Sequence, residues 1–358
     1  MSARRPDPDL GRRAFLKVSL LASGALVVGV NWAGATEGGA PGVEPWTPNL
    51  YVKLNRDGTV TIVSKNPEAG QGVKTAFPMV VAECLEVDWA KVSVEQAPLD
   101  DRYGRQVVGG SRGTPDGWDD LRIAGTGAMY LLVRAAAEQW GVPAAECAAK
   151  NGTVYHEASD RSAAYEDLLD AAARQAVPDV SELKLKSRPE EFNLLGKFVP
   201  GVDNHKIATG QPLFGADVRL EGMLYAVYQK CDVFGGRVRK ANVEHVRTLP
   251  GVTHAFVVEG TQQLSGLMPG VAIVAKTWWQ ANAAREQLEV DWETGHADSS
   301  AGFEDKAKQL AAEQGEILRQ DGNVDQAFDG AKSVVEASYY YPFVSHANLE
   351  PQNCTAVY

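Results

Sequence analysis

The chain has 358 residues, of which 44% are hydrophobic and 23% are charged, so it is long enough to bury the cores of two or three domains. Its formal net charge is -11 at pH 7 and it has no long basic run, which argues against nucleic-acid binding because that needs a clustered cationic surface. The 4 cysteines lie far apart and form no CxxC pair, so neither a zinc site nor an iron–sulfur cluster on this chain is supported.

The N-terminus carries a twin-arginine pattern, Arg12-Arg13, followed by Phe-Leu-Lys and a modest apolar run to about Val30. Small residues at 33–35 then offer a cleavage site. The run is short and contains Ser and Gly, which favours a signal peptide over a permanent membrane span. The alternative is a chance arginine pair before an apolar helix. We therefore expect a twin-arginine signal peptide over residues 1–35 and a periplasmic protein exported by that pathway.

Residues 36–50 are rich in Gly and Pro and predict a linker, and the stretch after it has the order strand, glycine loop, helix and strand. The run Tyr51–Ser64 is rich in β-branched and apolar residues and predicts the first strand, and Lys91–Glu95 predicts the second. Between them, apolar residues at three- and four-residue spacing from Ala76 to Cys84 predict a helix.

The loop before this helix contains Gly70, Gln71 and Gly72, and Thr75 follows within the first helical turn. Glycine lets a ligand approach the backbone, and the free N–H groups of a helix's first turn favour a phosphate, to which Thr75 adds a hydroxyl. The loop is neither a Walker loop nor a GxGxxG motif. Local sequence alone favours a tight turn between a strand and a core helix, and an anion site is the competing hypothesis.

Residues 97–120 predict a second long loop, whose length favours a functional role over a mere connection. Its stretch 109–114 gathers backbone amides, two hydroxyls and a guanidinium, the groups that bind a pyrophosphate. Taken alone, the stretch is also typical of a solvated turn. The side chains in question are those of Ser111, Arg112 and Thr114.

A helix is predicted over Leu121–Trp140, just past Asp119 and Asp120, either of which suits its N-cap. Next come a short helix over Ala144–Ala149 and a turn at Asn151-Gly152. The remaining predictions for this part are a strand Thr153–His156 with His156 exposed on an edge strand, a helix Tyr165–Gln175 and an extended connection Pro178–Pro200.

From about Asp203 the pattern alternates β-α-β-β-α-β, which predicts an α+β domain. The predicted strands are Val218–Tyr228, Val252–Glu259, Gly270–Lys276 and Leu288–Glu293, and the predicted helices are Ala241–Thr248 and Thr277–Gln287. Residues 294–330 are polar and predict a linker helix. In the last segment, Ser333–Tyr358, alternating strand residues surround His346 and Glu350, for which a polar turn between strands is the simpler interpretation.

Four of these stretches together resemble the large, molybdopterin-binding subunits of the xanthine dehydrogenase/aldehyde oxidase family. Residues 68–89 (EAGQGVKTAFPMVVAECLEVDW) are similar to the family's EMGQG…T…P…AEEL.VDW segment, with Ala69 in place of Met and Cys84 in place of Glu. Residues 111–122 match its SRST…W…LR stretch except at Gly113. GMLYA, LPGV and WW in 222–279 match its a/b hammerhead domain, and HANLEPQN in 346–353 matches HAPMEPxN at His346, Glu350, Pro351 and Asn353.

The resemblance covers nearly all of residues 50–358 and implies an α+β fold: a permuted molybdopterin-binding α/β segment, an a/b hammerhead domain, and the start of a second molybdopterin-binding domain. The N-terminal position of the GQG unit is typical of the isoquinoline 1-oxidoreductase beta-subunit type. The expected domains are a signal peptide (1–35), a molybdopterin-binding segment (36–202), the hammerhead domain (203–295), a linker helix (296–330) and the start of a molybdenum-site domain (331–358).

The family's properties imply a molybdenum hydroxylase that oxidises an aldehyde or an N-heteroaromatic compound with water-derived oxygen. They imply molybdopterin with molybdenum as cofactor, in its cytosine dinucleotide form, and a separate small subunit with [2Fe-2S] clusters as partner, with a cytochrome or other electron acceptor beyond it. The residues implied to contact the cofactor are Gly70, Gln71, Gly72, Thr75, Ser111, Arg112 and Thr114, and those implied to lie near the molybdenum are His346 and Glu350.

The sequence ends at Tyr358 within a predicted strand, whereas the family's subunit is about twice as long, with its general-base glutamate in the second half. We therefore expect either a fragment or a truncated gene, and no catalytic residue or metal ligand is assigned within it. Two alternatives stay open. One is a non-catalytic cofactor-binding or scaffold protein, and the other is an enzyme that binds a different nucleotide through the GQG loop.

Overall fold

The computed structural model describes residues 46–261, 263, 265–295, 299–344 and 347–358. The chain divides into a first unit, Met1–Gln211, and a second unit, Pro212–Tyr358. The predicted signal peptide and most of the linker after it lie outside the described residues. Within the described ranges, no helix has both the length and the apolar character that a membrane span requires.

The first unit is built on a four-stranded sheet with one parallel pair of strands. Its strands are β1 (Trp46–Asn49), β2 (Val52–Leu54), β3 (Val60–Ser64) and β4 (Val92–Gln96), hydrogen-bonded in that order. β1, β2 and β3 pair antiparallel, and β3 pairs parallel with β4 through helix α1 (Val73–Leu85), which connects the two. Every residue of β3 is buried, as expected for a central strand covered on both faces.

The single strand predicted over Tyr51–Ser64 is wrong, because the chain reverses within it. The Asp57 carboxylate accepts hydrogen bonds from the amide and hydroxyl of Thr59, at 2.9 and 2.6 Å. Gly58 has a φ of 79°, which suits the tight turn. The run therefore forms a hairpin of β2 and β3, since its Asn-Arg-Asp-Gly segment has the residues that turns prefer.

Helix α2 (Gly113–Trp140) has 28 residues and begins eight positions before the predicted Leu121. The predicted N-cap at Asp119 or Asp120 is therefore wrong, and both lie inside the helix. Pro115 falls in the first turn, where its missing N–H costs no intrahelical hydrogen bond. The long loop before the helix consequently shortens to residues 97–112, and Gly113 and Thr114 become the first two helical residues.

Helices α1 and α2 pack with little space between their backbones and run in the same direction. A Cβ placed on Gly125 of α2 would lie 2.4 Å from the carbonyl oxygen of Val81 of α1, so only glycine allows this contact. At the other end of the contact, a Cβ on Gly113 would lie 3.6 Å from Cζ of Phe77 and 3.9 Å from Cγ1 of Val73. Early residues of one helix thus meet early residues of the other, and both helices begin at the same end of the unit.

The rest of the described first unit includes a three-stranded antiparallel sheet and two α-helices. These are β5 (Ala148–Lys150), β6 (Thr153–His156), β7 (Arg161–Ala164), α3 (Tyr165–Ala172) and α4 (Asn204–Ala208). The short helix predicted over Ala144–Ala149 is wrong, since only residues 144–146 are helical, as one 3-10 turn, and β5 follows at once.

His156, predicted as an exposed residue of an edge strand, is buried on the central strand β6. Its Nδ1 lies 2.7 Å from the Ser159 hydroxyl, and its Nε2 lies 3.1 Å from the Glu146 carboxylate. Both ring nitrogens have partners, so the usual penalty for burying a polar group is offset. The prediction failed because the strand pattern does not show that Ser159 and Glu146 lie against the imidazole ring.

The second unit contains a mixed domain with two antiparallel sheets. Its elements are β8 (Tyr225–Lys230), β9 (Arg237–Ala241), α5 (Val243–Arg247), β10 (Val252–Val258), β11 (Gly270–Ala275), α6 (Trp278–Glu286) and β12 (Val290–Glu293). The strands are ordered β10-β11-β8 in one sheet and β12-β9 in the other, and the core includes Val246, Val271, Ile273 and Ala281. The predicted mixture of helix and sheet is confirmed, with β9 as an additional strand and a shorter, later β8 than predicted. The division into named family domains stays a prediction.

After residue 298 the described chain is exposed and mostly irregular. In place of one linker helix there are two, α7 (Ser300–Ala311) and α8 (Val324–Asp329). Strands predicted within Ser333–Tyr358 are absent from its described residues, in which Val335 is 93% exposed and Phe343 is 91% exposed. A stretch with an alternating pattern forms a strand only when a neighbouring strand pairs with it. Among the described residues, no strand pairs with this segment.

The close contact between α1 and α2 gives a stability prediction. Replacing Gly125 by Ala places a methyl group against backbone atoms of α1, which we expect to lower the free energy of unfolding by about 1–3 kcal/mol. Gly127→Ala is the matched control, since its Cβ would meet only Cδ1 of Leu183, at an ordinary 3.9 Å. This control should be neutral or stabilising by up to about 1 kcal/mol. Urea unfolding followed by circular dichroism measures both, and equal stability of Gly125→Ala and wild type would contradict the packing.

Candidate cofactor-binding site

Two loops lie at the carboxyl ends of the parallel strands β3 and β4. The GQG loop (residues 66–72) leads from β3 into α1, and the second loop (residues 97–112) leads from β4 into α2. The carboxyl ends of adjacent parallel strands share one edge of a sheet, which is where open α/β sheets bind their ligands. Because α1 and α2 also begin here, the positive ends of two helix dipoles point to the same edge.

The glycines of the GQG loop leave its backbone open. Gly70 has a φ of 97° and Gly72, the N-cap of α1, a φ of 86°, both in the left-handed region that favours glycine. A Cβ on either residue would meet no atom within 4 Å. A ligand can therefore approach this backbone surface directly, as the sequence predicts for a binding loop.

The amides of this loop already have an internal acceptor, the Glu68 carboxylate. Its Oε1 accepts hydrogen bonds from the amides of Gly70 at 2.8 Å and Gly72 at 2.9 Å, and its Oε2 accepts from the amide of Lys74 at 2.9 Å. An acidic side chain at a helix N-terminus is stabilised by the helix dipole. Sequence reasoning missed this role, although an acid four residues before a glycine N-cap is a visible signal.

The other two predicted side chains of this region have partners within the protein. The Gln71 carboxamide folds back on its own loop, accepting from the amide of Ala69 at 2.6 Å and donating to the carbonyl of Pro67 at 2.9 Å. The Thr75 hydroxyl oxygen accepts from the amide of Val202 at 3.0 Å. Since this bond uses the oxygen of Thr75 as acceptor, its O–H hydrogen stays available to an anion.

The second loop presents its predicted residues at the start of α2. Gly110 and Ser111 have φ values of 65° and 53°, and Ser111, Arg112 and Thr114 lie at the surface. The guanidinium of Arg112 pairs with Asp116 one turn later, at 3.0 Å from Nε and 2.6 Å from Nη2. This hydrogen bond raises the pKa of Arg112 and lowers the pKa of Asp116. The side chain of the N-cap residue, Arg112, makes no bond to the first-turn amides.

Two buried side chains at the end of β3 hold the second loop in place. Lys65 Nζ donates to the carbonyls of Tyr103 at 3.4 Å and Arg105 at 3.3 Å, and Asn66 Nδ2 donates to the carbonyl of Val107 at 3.2 Å. Alternate carbonyls of one extended stretch thus face the root of the GQG loop. Burial lowers the pKa of Lys65, partly offset by the nearby Asp120 and Asp116 carboxylates. No local pattern in the sequence indicates this coupling between the loops.

A second buried charge, that of Glu83, fixes a strap, residues 183–203, across α1. The Glu83 carboxylate, only 3% exposed, accepts from the amides of Asn193 at 3.0 Å, Leu194 at 2.6 Å and Leu195 at 3.0 Å, and from Lys186 Nζ at 2.5 Å. Burial alone raises the pKa of Glu83, but the bonds from Lys186 and the three amides outweigh burial and hold this pKa below its ordinary value. The strap ends beside the GQG loop, where Asp203 pairs with Lys74 at 2.5 Å.

Of the two residues expected near the molybdenum, Glu350 is among the described residues. His346 lies outside the described residues. Glu350 belongs to the second unit, is exposed, and accepts from the amide of Ala216 at 3.2 Å and from Asn353 Nδ2 at 2.9 Å. Among the described residues, no group of three or more His, Cys, Asp or Glu side chains is arranged to hold a metal ion.

The Glu83 clamp predicts a pH-dependent loss of stability. We expect Glu83→Gln to lower the free energy of unfolding by about 2–4 kcal/mol at pH 7, because the partly buried Lys186 and several amides lose a charged, buried acceptor. The pKa of Glu83 is lower in the folded state, so its contribution is present above the ordinary carboxyl pKa of about 4.3 and is lost as the pH falls through the folded-state value.

Urea unfolding at pH 7 and at about pH 3.5 measures this difference, which should shrink at the lower pH. Glu190→Gln, an exposed residue of the same strap, is the matched control and should behave as wild type. A Glu83→Gln variant as stable as wild type at pH 7, or a difference that grows in acid, would contradict the clamp.

Comparison with known proteins gives matches along most of the chain. Residues 17–193 match the family described as the molybdopterin cofactor-binding domain. The chain is 30% identical over 391 residues to the beta subunit of isoquinoline 1-oxidoreductase from Brevundimonas diminuta, covering 96% of this chain and 48% of that protein. It is 26% identical to a membrane-bound aldehyde dehydrogenase [pyrroloquinoline-quinone] of Gluconacetobacter polyoxogenes, covering 99% and 47%.

A third relative, the B subunit of nicotinate dehydrogenase from Pseudomonas putida, is 24% identical over 88% of this chain and 26% of its own length. The chain therefore spans about half the length of the first two relatives. All three are oxidoreductases by name, and two are named as subunits. The resemblance drawn from the motifs is confirmed: residues 17–193 match the molybdopterin cofactor-binding domain family, and the chain is similar to the beta subunit of isoquinoline 1-oxidoreductase.

Proposed function

We propose that this chain forms part of a molybdenum hydroxylase, an oxidoreductase that oxidises an aldehyde or an N-heteroaromatic compound with water-derived oxygen. The observation that carries the proposal is the pair of glycine loops at the carboxyl ends of β3 and β4, where two helices begin side by side. Such an edge suits a large anionic cofactor, and it lies within the stretch that matches the molybdopterin-binding family.

The cofactor of the proposal is molybdopterin with molybdenum, in its cytosine dinucleotide form. Its pyrophosphate fits the second loop, where Ser111 and Thr114 supply hydroxyls, Arg112 supplies a guanidinium and the first turn of α2 supplies amides. Gly70, Gln71, Gly72 and Thr75 line the neighbouring backbone surface. When bound, the cofactor supplies the redox centre, and this part of the chain supplies binding and orientation.

Arg112 suits this role because its guanidinium is charged and its side chain stays largely exposed to solvent. Its side chain is 65% exposed although it pairs with Asp116, so a pyrophosphate can compete for it without displacing packed residues. An exposed pair of this kind contributes little to stability, and a charge-assisted bond to phosphate readily exceeds its contribution. The buried Lys65 and Asn66 fix the loop backbone, so that binding requires little ordering of the chain.

The electron route and the substrate belong to the whole protein. Two relatives are named as subunits, which supports a partner, and we propose a small subunit with [2Fe-2S] clusters that passes electrons to a cytochrome or another acceptor. The names of the relatives refer to isoquinoline, aldehyde and nicotinate, which supports the two proposed substrate classes.

One relative is named for pyrroloquinoline quinone, which makes a second cofactor worth testing. This quinone is also anionic, and the second loop would suit its carboxylates. The two alternatives that the sequence leaves open are a non-catalytic cofactor-binding or scaffold protein and an enzyme that binds a different nucleotide. Direct analysis of the cofactor bound to the protein distinguishes these possibilities.

Cofactor analysis of the full-length protein, co-expressed with any neighbouring iron–sulfur subunit, tests the proposal. We expect about one molybdenum per chain and a cytidine nucleotide released on acid hydrolysis. A well-folded sample that holds pyrroloquinoline quinone, or neither cofactor, would overturn it.

Gly70→Ala should lower the molybdenum content, because a side chain strains the left-handed φ and fills the open surface. Gly141→Ala, with a φ of 68° at the far end of α2, carries comparable strain and should keep its molybdenum.

We further propose that the protein is periplasmic and is exported by the twin-arginine pathway. Support comes from Arg12-Arg13 and the apolar run after them. Replacing both arginines by lysine keeps the charge but removes the recognised pair. We expect the variant to remain in the cytoplasm, measured by fractionation and immunoblotting, and unchanged export would contradict the proposal.

A further inference from the structure

The two loops of the site differ in the charge that they present. In the GQG loop, Glu68 adds a negative charge directly on three backbone amides. The nearest cation, Lys74, is neutralised by Asp203, and both side chains of this pair are less than 20% exposed. Of the three arginines of the second loop, Arg102 pairs with Asp100, and Arg105 and Arg112 share a single carboxylate, Asp116.

Counting these bonded side chains gives opposite local charges. Glu68, Lys74 and Asp203 sum to one negative charge, and Arg105, Arg112 and Asp116 sum to one positive charge. A phosphate at the GQG loop would have to displace a carboxylate that already makes three charge-assisted hydrogen bonds, each about twice as strong as a neutral one. At the second loop the phosphate meets exposed guanidinium groups and first-turn amides without a side-chain cap.

We infer that Glu68 is a specificity-determining residue, whose carboxylate fills the anion position of the GQG loop and so directs the phosphate groups of the cofactor to the second loop. This inference rests on the proposed function of both loops. The GQG loop then receives an uncharged, hydrogen-bonding part of the cofactor on its open glycine surface. Glu68 acts through the loop backbone and takes no part in chemistry.

The test uses the full chain produced in a host that cannot make the molybdenum cofactor, with pyrophosphate as the probe. Hydrogen–deuterium exchange is followed over residues 68–76 and 109–116, and calorimetry counts the pyrophosphates bound. In wild type we expect pyrophosphate to slow exchange only over 109–116, with one site per chain. In Glu68→Gln we expect slower exchange over both stretches and a second site.

Without pyrophosphate, Glu68→Ala should raise the exchange rates of the Gly70, Gly72 and Lys74 amides about tenfold, because each loses a charge-assisted hydrogen bond. Glu157→Gln, an exposed residue of the same unit, should match wild type throughout. Unchanged unfolding midpoints of the Gln variants confirm that the fold is intact.

Pyrophosphate that slows exchange over 68–76 in wild type as much as over 109–116 would overturn the inference. So would a Glu68→Gln variant that gains no second site. If Glu68→Gln binds pyrophosphate at the GQG loop but wild type binds none, the claim that Glu68 fills the anion position of that loop stands. The claim that the second loop binds phosphate then fails. The proposed function itself is decided separately, by the cofactor analysis of the loaded protein.

Discussion

The close packing of α1 on α2 determines where the candidate site lies. At Gly125 there is no side chain, so the α2 backbone approaches the backbone of α1 near Val81. The two helices run parallel, and therefore their N-termini and the loops before them share one edge of the sheet. With a larger residue at position 125 the helices would separate, and two helix dipoles would no longer point to one place.

Two buried charged side chains then hold the second loop and the strap in place. Lys65 and Glu83 are each only 3% exposed, and both are satisfied mainly by backbone groups of segments without regular structure. Burying a charge is costly unless it is hydrogen-bonded, so each of these residues specifies one position of its segment. Long segments that would otherwise be variable, the second loop and the strap, are thereby held as rigid parts of the site. Rigid positioning is what a binding site requires, because little ordering remains when the ligand arrives.

The sequence predicted the parts of this arrangement that depend on local pattern. The order of strand, glycine loop and helix around Gly70 and Gly72 was predicted correctly, as was the helix that ends at Trp140. Its start was placed too late because Pro115 and Gly117 are typical of loops, although the first turn tolerates proline and Gly117 lies against the buried Lys65 side chain, where a Cβ would come within 3.2 Å of Cε. Tertiary contacts, which no local pattern shows, account for the errors at Lys65 and the buried His156, each of which depends on a partner that folding brings close. The role of Glu68 and the hairpin turn at Gly58 rest on neighbouring residues and were visible in the local sequence. The motif resemblance supplied the cofactor, and no feature of the loops alone would have distinguished molybdopterin from another anionic ligand.

The central claim is that the edge formed by the starts of α1 and α2 holds the cofactor. A crystal or electron cryomicroscopy structure of the cofactor-loaded protein tests it most directly. We predict phosphate oxygens within about 3 Å of the backbone amides and hydroxyls of residues 111–114, with Glu68 still bonded to the GQG loop. A cofactor bound away from this edge, or its phosphates on the amides of residues 70–74 with Glu68 displaced, would contradict it.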